Sequence, residues 1–200
     1  MDIQQNKLYH LYNQGNNRQR IFFIKENYLF FLTKIKLHVL PYTDILAWCL
    51  MPNHFHLMVY VHMVELLAND QDGLNNSSEK AGNLNDSVGI MLHSYTRAIN
   101  KQEHRTGSLF KPHTKAECVS KIGPVLPSFC EPEDGKTPTV KVRIEDYPQI
   151  CFDYIHNNPV KAHLVAKPED WEFSSFRDYA GLRNGKLINK ERTMGFGIRY

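Results

Sequence analysis

The first third of the chain alternates short apolar runs with polar breaks, in the manner of strands joined by tight turns. Strands are predicted over residues 7–13, 43–50 and 54–62. The last two are separated only by Met51-Pro52-Asn53, and so short a link predicts an antiparallel pair. Residues 25–38 place apolar side chains on one broad face among Lys and Glu, which predicts a helix that Pro41 ends.

The middle of the chain predicts a loop, a second helix and a short strand. Residues 69–86 are rich in Asn, Asp, Ser and Gly and indicate a flexible loop. Residues 87–101 carry apolar side chains at helical spacing, with Asp86 or Ser87 as the candidate N-cap. A short strand is predicted near residues 109–119.

A third helix is predicted near the end of the chain. It follows residues 120–145, whose Pro and Gly content indicates an irregular insertion. The helix covers residues 146–157, with Asp146 as its candidate cap and Pro148 in its first turn. Because Asn158 precedes a proline, we expect the helix to end there.

The order of these elements predicts the fold. Strand, helix, strand, strand, helix and strand follow one another, which is close to the β-α-β-β-α-β plan of ferredoxin-like folds. We therefore predict an α+β fold with a mainly antiparallel sheet, helices on one face, and a further C-terminal helix and tail. One domain over residues 1–200 is expected, with an aromatic-rich tail of about residues 160–200 that packs back on the body.

Composition sets bounds on the class of protein. The 200 residues carry 24 Lys and Arg against 21 Asp and Glu, and a net charge of +3 indicates nothing by itself about nucleic acid. No apolar run approaches the ~20 residues of a membrane-spanning helix. The N-terminus lacks the pattern of a secretory signal, so we expect a cytoplasmic protein. None of the four cysteines forms a C-x-x-C pair, which argues against a structural zinc site.

The basic side chains are unevenly distributed along the chain. Residues 97–115 contain five of them against a single acid, Glu103, whereas residues 65–86 lean acidic. Such a separation permits a local phosphate-binding face, although a solvated surface explains it equally well. The five are Arg97, Lys101, Arg105, Lys111 and Lys115.

His54 and His56 flank Phe55 inside the third predicted strand. Residues two apart in a strand point to the same face, about 6.6 Å apart, so two imidazoles can converge on one ion. Phe55 then points the other way, into the core. Imidazole suits several divalent metals, and oxygen donors would complete the shell. Taken alone, the pair is more readily explained as exposed or core polar residues, since the chain has 10 histidines.

Tyr154 lies in the third predicted helix, and Asn158 follows it by four positions on the same face if the last turn persists. A phenol is unreactive at its reference pKa of about 10. A metal that polarises a phosphate could let such a tyrosine form a phosphotyrosine link, with Asn158 as an oxygen ligand. A core aromatic is the simpler explanation for any one of the 10 tyrosines.

Four ordered stretches together resemble one known family. Residues 50–57 (LMPNHFHL) are similar to the histidine-hydrophobic-histidine motif of the small single-tyrosine HUH transposases, and most of all to their REP-associated branch. The other three stretches are Tyr9-His10 with the following Gly15-Asn16-Asn17-Arg18, residues 153–161 (DYIHNNPVK) and residues 171–176 (WEFSSF). The likeness extends over most of residues 8–180 and is far more specific than any single motif.

The resemblance implies a role for each matching residue. His54 and His56 would ligate Mg²⁺ or Mn²⁺, with Asn158 as the polar third ligand. Tyr154 would attack a DNA phosphate from a catalytic third helix, hold a 5′-phosphotyrosine and free a 3′-hydroxyl. The substrate would be single-stranded DNA beside a hairpin, as in repetitive extragenic elements.

An enzyme of this kind would contact its DNA through basic and aromatic side chains. It would act as a monomer or homodimer, without a membrane, and Phe110 could stack on unpaired bases. The side chains expected to contact the DNA backbone are Arg18, Arg97, Lys101, Arg105, Lys111 and Lys115.

Two other functions remain open from the sequence. A domesticated relative would bind hairpin DNA without cutting it. A metal phosphodiesterase would use water as its nucleophile, with a further histidine such as His113 completing the site. Substituting Tyr154 by Phe separates both from the strand transferase, because only a tyrosine nucleophile requires the phenol oxygen. Cleavage that is lost in His54→Ala would then distinguish the phosphodiesterase from the binding protein.

Overall fold

Four antiparallel strands form one sheet in the order β2-β3-β1-β4. The structure is a computed structural model and describes residues 1–65, 82–120 and 143–200. The strands are β1 (Lys7–Gln14), β2 (Thr43–Met51), β3 (His54–Val61) and β4 (Lys115–Cys118). With β1 and β3 in the centre, the sheet has the strand order of the β-α-β-β-α-β plan, so the predicted α+β fold is confirmed.

Helices cover both faces of this sheet. The helices are α1 (Lys25–His38), α2 (Leu84–Gln102), α3 (Tyr147–Lys161), α4 (Phe176–Tyr179) and α5 (Lys190–Gly195). Phe55 and Leu57 of β3 pack with α1 and α2, whereas Met58 belongs to a second core with Phe152 and Ile155 of α3. The alternation of β3 therefore sends its even-numbered side chains towards α3.

The helix α2 begins earlier than the sequence predicted. Asn83 occupies its N-cap, and its side-chain oxygen accepts from the backbone N–H of Asp86 at 2.9 Å. The prediction of Asp86 or Ser87 as the cap is therefore wrong. The reason lies in packing: Leu84 is fully buried, so the first turn is held in the core and starts one turn sooner.

The helix α3 continues past the proline that was expected to end it. Pro159 lies in the last turn, where its missing N–H forfeits a single helical hydrogen bond. The chain beyond it satisfies the terminal carbonyls, since Ala162 donates to Asn158 and Leu164 donates to Pro159, each at 2.9 Å. The extension keeps Asn158 in the helix with Tyr154.

The C-terminal tail packs against β2. Trp171 donates its indole N–H to the carbonyl of Leu50 at 3.1 Å, and Ser175 donates its backbone N–H to Trp48 at 2.9 Å. Most of the predicted insertion at 120–145, and Cys130 within it, lie outside the described residues. In the part of the chain that the structure describes, no helix has the length and apolarity to cross a bilayer.

Candidate functional site

Polar side chains gather on the α3 side of the two central strands, near the turn that joins β2 to β3. Strand alternation places His10 and Tyr12 of β1 on this face together with His54 and His56 of β3. The antiparallel register sets Tyr12 opposite His56 and Gln14 opposite His54. The strand pairing therefore brings two distant segments of the sequence into one cluster.

The two histidines of β3 share one face, as their spacing predicts. Their ring centroids lie 4.9 Å apart with an interplanar angle of 85°. Phe55 between them is 1% exposed and packs on the opposite face, with its ring centroid 5.1 Å from that of Phe31. The apolar residue anchors the strand and fixes the direction in which both imidazoles point.

His56 is buried, and its two ring nitrogens differ. Nδ1 lies 2.8 Å from Nε2 of His10, whereas Nε2 has no hydrogen-bond partner among the described residues. Burial, together with the neighbouring imidazoles of His10 and His54, holds the pKa of His56 well below its ordinary value. The ring is therefore neutral near pH 7, with a lone pair available on one nitrogen.

His54 is partly exposed, and a neighbouring amide holds its ring. Its Nδ1 lies 2.6 Å from the side-chain oxygen of Asn53. Burial lowers the pKa of His54, and a side-chain hydrogen bond with Asn158 partly offsets that effect. Asn158 thus lies within reach of His54, on the same helix as Tyr154.

Tyr154 projects from α3 onto the histidine cluster. Its ring centroid lies 5.5 Å from that of His56 and 5.8 Å from that of His10, with nearly perpendicular planes. The ammonium of Lys161 lies 5.8 Å from the centroid of the Tyr154 ring. Asn158 donates from its side chain to the carbonyl of Tyr154 at 2.8 Å, as the four-residue spacing allows. The structure thus brings together all four residues predicted for the catalytic and metal site.

A cavity of about 250 Å³ opens over this cluster. His54, His56 and Tyr154 line it, and the segment after α2 contributes further basic side chains. These are Lys111, His113 and Lys115. No Asp or Glu is among the described residues that line the cavity, so its surroundings favour an anion such as a phosphodiester.

The other predicted DNA contacts are distributed differently. Lys111 and Lys115 line the cavity, whereas four other basic residues do not: Arg18, Arg97, Lys101 and Arg105. The carbonyl of Arg18 accepts from the side chain of Asn53 at 3.3 Å, so this residue supports the turn beside His54. Phe110 is only 4% exposed and packs among Phe31, Phe55 and Tyr95. The expectation that Phe110 stacks on bases is therefore wrong, because the ring belongs to the core.

Sequence reasoning missed several members of the cluster. His10 and Tyr12 lie two apart in β1 and stack with ring centroids 4.7 Å apart. Tyr12 donates to Glu117 of β4 at 2.6 Å, and Glu117 lies 3.8 Å from His10. Alternation in β1 could have placed His10 and Tyr12 on one face. Only the pairing with β3 and β4 shows what they touch.

The donor set fits a divalent metal ion with few protein ligands. Within residues 1–65, 82–120 and 143–200, no group of three His, Cys, Asp or Glu side chains is placed to hold a metal. The candidate centre therefore consists of His54, His56 and the amide oxygen of Asn158. The buried, unpartnered Nε2 of His56 is the feature that a metal would satisfy.

Comparison with known proteins supports the fold. No protein-family profile matches the sequence. No curated protein matches it significantly. The fold is similar to a solved structure of the REP-associated tyrosine transposase bound to a REP hairpin, with a TM-score of 0.54. That similarity covers 94% of this chain and 92% of the other at 19% sequence identity, so the likeness is one of fold.

Proposed function

We propose that the protein is a metal-dependent, single-tyrosine DNA strand transferase that acts on single-stranded DNA beside a hairpin. The observation that carries this proposal is the position of the Tyr154 ring, 5.5 Å from that of His56. The fold likeness to a transposase bound to a REP hairpin supports the choice of substrate. The basic lining of the cavity supports a phosphodiester as the group that binds there.

The proposed reaction exchanges one phosphodiester linkage for another. The phenol oxygen of Tyr154 forms a bond to phosphorus while the bond from phosphorus to the 3′ oxygen breaks. The phenol loses a proton, and the departing 3′ oxygen gains one, so the net products are a 5′-phosphotyrosine and a 3′-hydroxyl. The phosphotyrosine bond is similar in energy to the phosphodiester bond that it replaces. A second 3′-hydroxyl can therefore attack it, reverse the step and join two strands.

His54, His56 and Asn158 are the residues that would hold Mg²⁺ or Mn²⁺. When bound, the ion supplies positive charge that polarises the phosphate. The neutral state of both imidazoles, which burial favours, leaves a lone pair for ligation. Lys111 and Lys115 would orient the phosphate backbone across the cavity.

The test is detection of a covalent protein–DNA adduct. Single strands that carry a hairpin with randomised flanks and a 3′-end label are incubated with the protein and Mn²⁺. We expect a labelled adduct that survives denaturing electrophoresis, and its loss in Tyr154→Phe. The adduct should also be lost in His54→Ala and His56→Ala, since each removes a metal ligand.

The control variant is Tyr60→Phe. Tyr60 lies on the same face of β3, but its hydroxyl donates to Asn6 at 3.1 Å and it does not line the cavity. Adduct formation should therefore be unchanged. Cleavage without an adduct, insensitive to Tyr154→Phe but sensitive to His113→Ala, would instead indicate a water nucleophile. Hairpin binding with no cleavage would indicate a binding protein.

A further inference from the structure

Both histidines of the proposed metal site use the same ring nitrogen for a protein contact. Nδ1 of His54 lies 2.6 Å from the side-chain oxygen of Asn53, and Nδ1 of His56 lies 2.8 Å from Nε2 of His10. A neutral imidazole carries one N–H, and only the other nitrogen can ligate a metal. The partner at Nδ1 therefore decides whether Nε2 is available.

For His54 the direction of the contact follows from Asn53. The side-chain N–H of Asn53 donates to the carbonyl of Arg18 at 3.3 Å, which orients the amide oxygen towards His54. An amide oxygen can only accept, so Nδ1 of His54 carries the proton. Its Nε2 is thus the nitrogen with the lone pair.

For His56 the direction depends on Glu117. One carboxylate oxygen of Glu117 accepts from the Tyr12 hydroxyl at 2.6 Å, and the other lies 3.8 Å from Nδ1 of His10. The negative charge favours a proton on Nδ1 of His10, because a lone pair there would face the carboxylate. Nε2 of His10 then accepts, and His56 must donate from Nδ1. The chain Glu117–His10–His56 therefore has one preferred direction.

We infer that His10, polarised by Glu117, is a positioning residue that fixes His56 as its Nδ1–H tautomer and aims the Nε2 lone pair at the metal. This inference rests on the proposed function. His10 is fully buried, and its ring stacks on both Tyr12 and His56, with ring centroids 4.7 and 5.0 Å away, so its orientation is set by packing. Partners of this kind usually change metal affinity by 10–100-fold when they are removed.

The first experiment measures Mn²⁺ affinity without DNA. His10→Phe keeps an aromatic ring but removes the acceptor, and we expect the dissociation constant to rise at least tenfold. His10→Gln places an amide oxygen near the position of Nε2 and should restore most of the affinity. The matched control is His62→Phe, at the far end of the β3 hairpin, which should leave the dissociation constant unchanged. Equal Mn²⁺ affinity in His10→Phe and the unmodified protein would overturn the inference.

The second experiment observes the tautomer directly, and it does not require a change in the buried core. In ¹⁵N nuclear magnetic resonance of the metal-free protein, we expect His56 as the Nδ1–H form. In Glu117→Gln, the amide oxygen keeps its bond to Tyr12 and the amide N–H faces Nδ1 of His10. The chain then reverses, and the His56 proton moves to Nε2. An unchanged His56 tautomer in Glu117→Gln would overturn the role of Glu117 in the inference.

These measurements separate the inference from the proposed function. Weakened Mn²⁺ binding in His10→Phe with rescue by His10→Gln supports the inference even if no DNA adduct forms. An adduct in the unmodified protein with no effect of His10→Phe on Mn²⁺ binding overturns the inference and leaves the function standing. Absence of any Mn²⁺ binding by the unmodified protein overturns the inference.

Discussion

A buried nitrogen without a partner destabilises a folded protein by about 1–3 kcal/mol relative to one that is hydrogen-bonded. His56 Nε2 is such an atom among the described residues, and the His56 side chain lines the cavity beside Tyr154. Residues that carry such a penalty at a cavity commonly serve ligand binding. A metal ion bound at Nε2 of His56 would remove this penalty and should therefore stabilise the folded protein.

We predict that Mn²⁺ stabilises the unmodified protein through His54 and His56. At a free concentration one hundred times the dissociation constant, the free energy of unfolding should rise by about 2.7 kcal/mol. The rise should vanish in His56→Ala and shrink strongly in His54→Ala, because each loses a ligand. Thermal unfolding with and without Mn²⁺ measures this rise in stability for each protein. The control is His62→Ala, and an equal shift in His56→Ala and the unmodified protein would place the metal elsewhere.

A second consequence concerns Lys161, whose ammonium lies 5.8 Å from the centre of the Tyr154 ring. In the proposed reaction, positive charge there favours loss of the phenol proton, because it stabilises the negative charge left on the oxygen. We expect Lys161→Met to slow adduct formation about fivefold, which corresponds to ~1 kcal/mol. Lys161→Arg should retain most of the rate. Single-turnover kinetics at saturating DNA separate this effect from weaker binding, and an unchanged rate would exclude the role.

At the scale of elements, buried hydrogen bonds hold the helix that carries Tyr154 against the sheet. His156 of α3 lies 2.7 Å from the hydroxyl of Ser175, which accepts in turn from the backbone N–H of Trp48 at 2.9 Å. Burial lowers the pKa of His156 to about 3, so the ring stays neutral at working pH. The contact joins α3, the tail and β2 at one point.

We predict that Ser175→Ala destabilises the protein by about 1–3 kcal/mol, because it leaves the buried Trp48 N–H without its acceptor. Amide hydrogen exchange in α3 should accelerate, and adduct formation should slow while DNA affinity is retained. Urea denaturation gives the free energy of unfolding. Ser94→Ala is the control, since Ser94 donates only to its own helix at Met91 and should stay within ~0.5 kcal/mol. An unchanged free energy of unfolding in Ser175→Ala would contradict the role of Ser175 in holding α3 against the sheet.

The same elements show what the sequence could predict. Hairpin β2–β3, helix α1 and the order of elements along the chain follow from local periodicity and short links, and all were predicted. The continuation of α3 through Pro159 was not predicted, because tertiary packing of α3 outweighs one lost hydrogen bond. The burial of Phe110 and the contact of His10 with His56 depend on pairing between distant segments. No local pattern carries that information.

For the molecule as a whole, two cavities meet at the segment after α2. The larger, of about 750 Å³, lies between α2 and this segment, and it shares Asn13, Lys111 and His113 with the smaller one over Tyr154. None of the described residues that line either cavity is Asp or Glu. The two cavities thus adjoin and form one groove whose described lining residues carry no negative charge. Under the proposed function, a single DNA strand that leaves the site would follow this groove.

The groove predicts which cations dominate DNA affinity. For single-stranded DNA, the plot of log affinity against log salt concentration has a slope of roughly −0.7 for each phosphate contact. We therefore expect Lys111→Ala with Lys115→Ala to lower the magnitude of the slope by roughly 1.4 and weaken binding about tenfold or more. The matched pair, Arg97→Ala with Lys101→Ala, removes the same charge from α2, where neither residue lines either of these two cavities.

A smaller change in that second pair is expected, because a cation outside the groove interacts with the strand only through screened solvent. Titrations of a fluorescent hairpin strand at several salt concentrations measure both slopes. Equal changes in the two pairs would mean that affinity arises from diffuse positive charge, and the groove would then not be the path of the strand. A larger change in the α2 pair would instead move the DNA to the outer surface of α2, away from Tyr154.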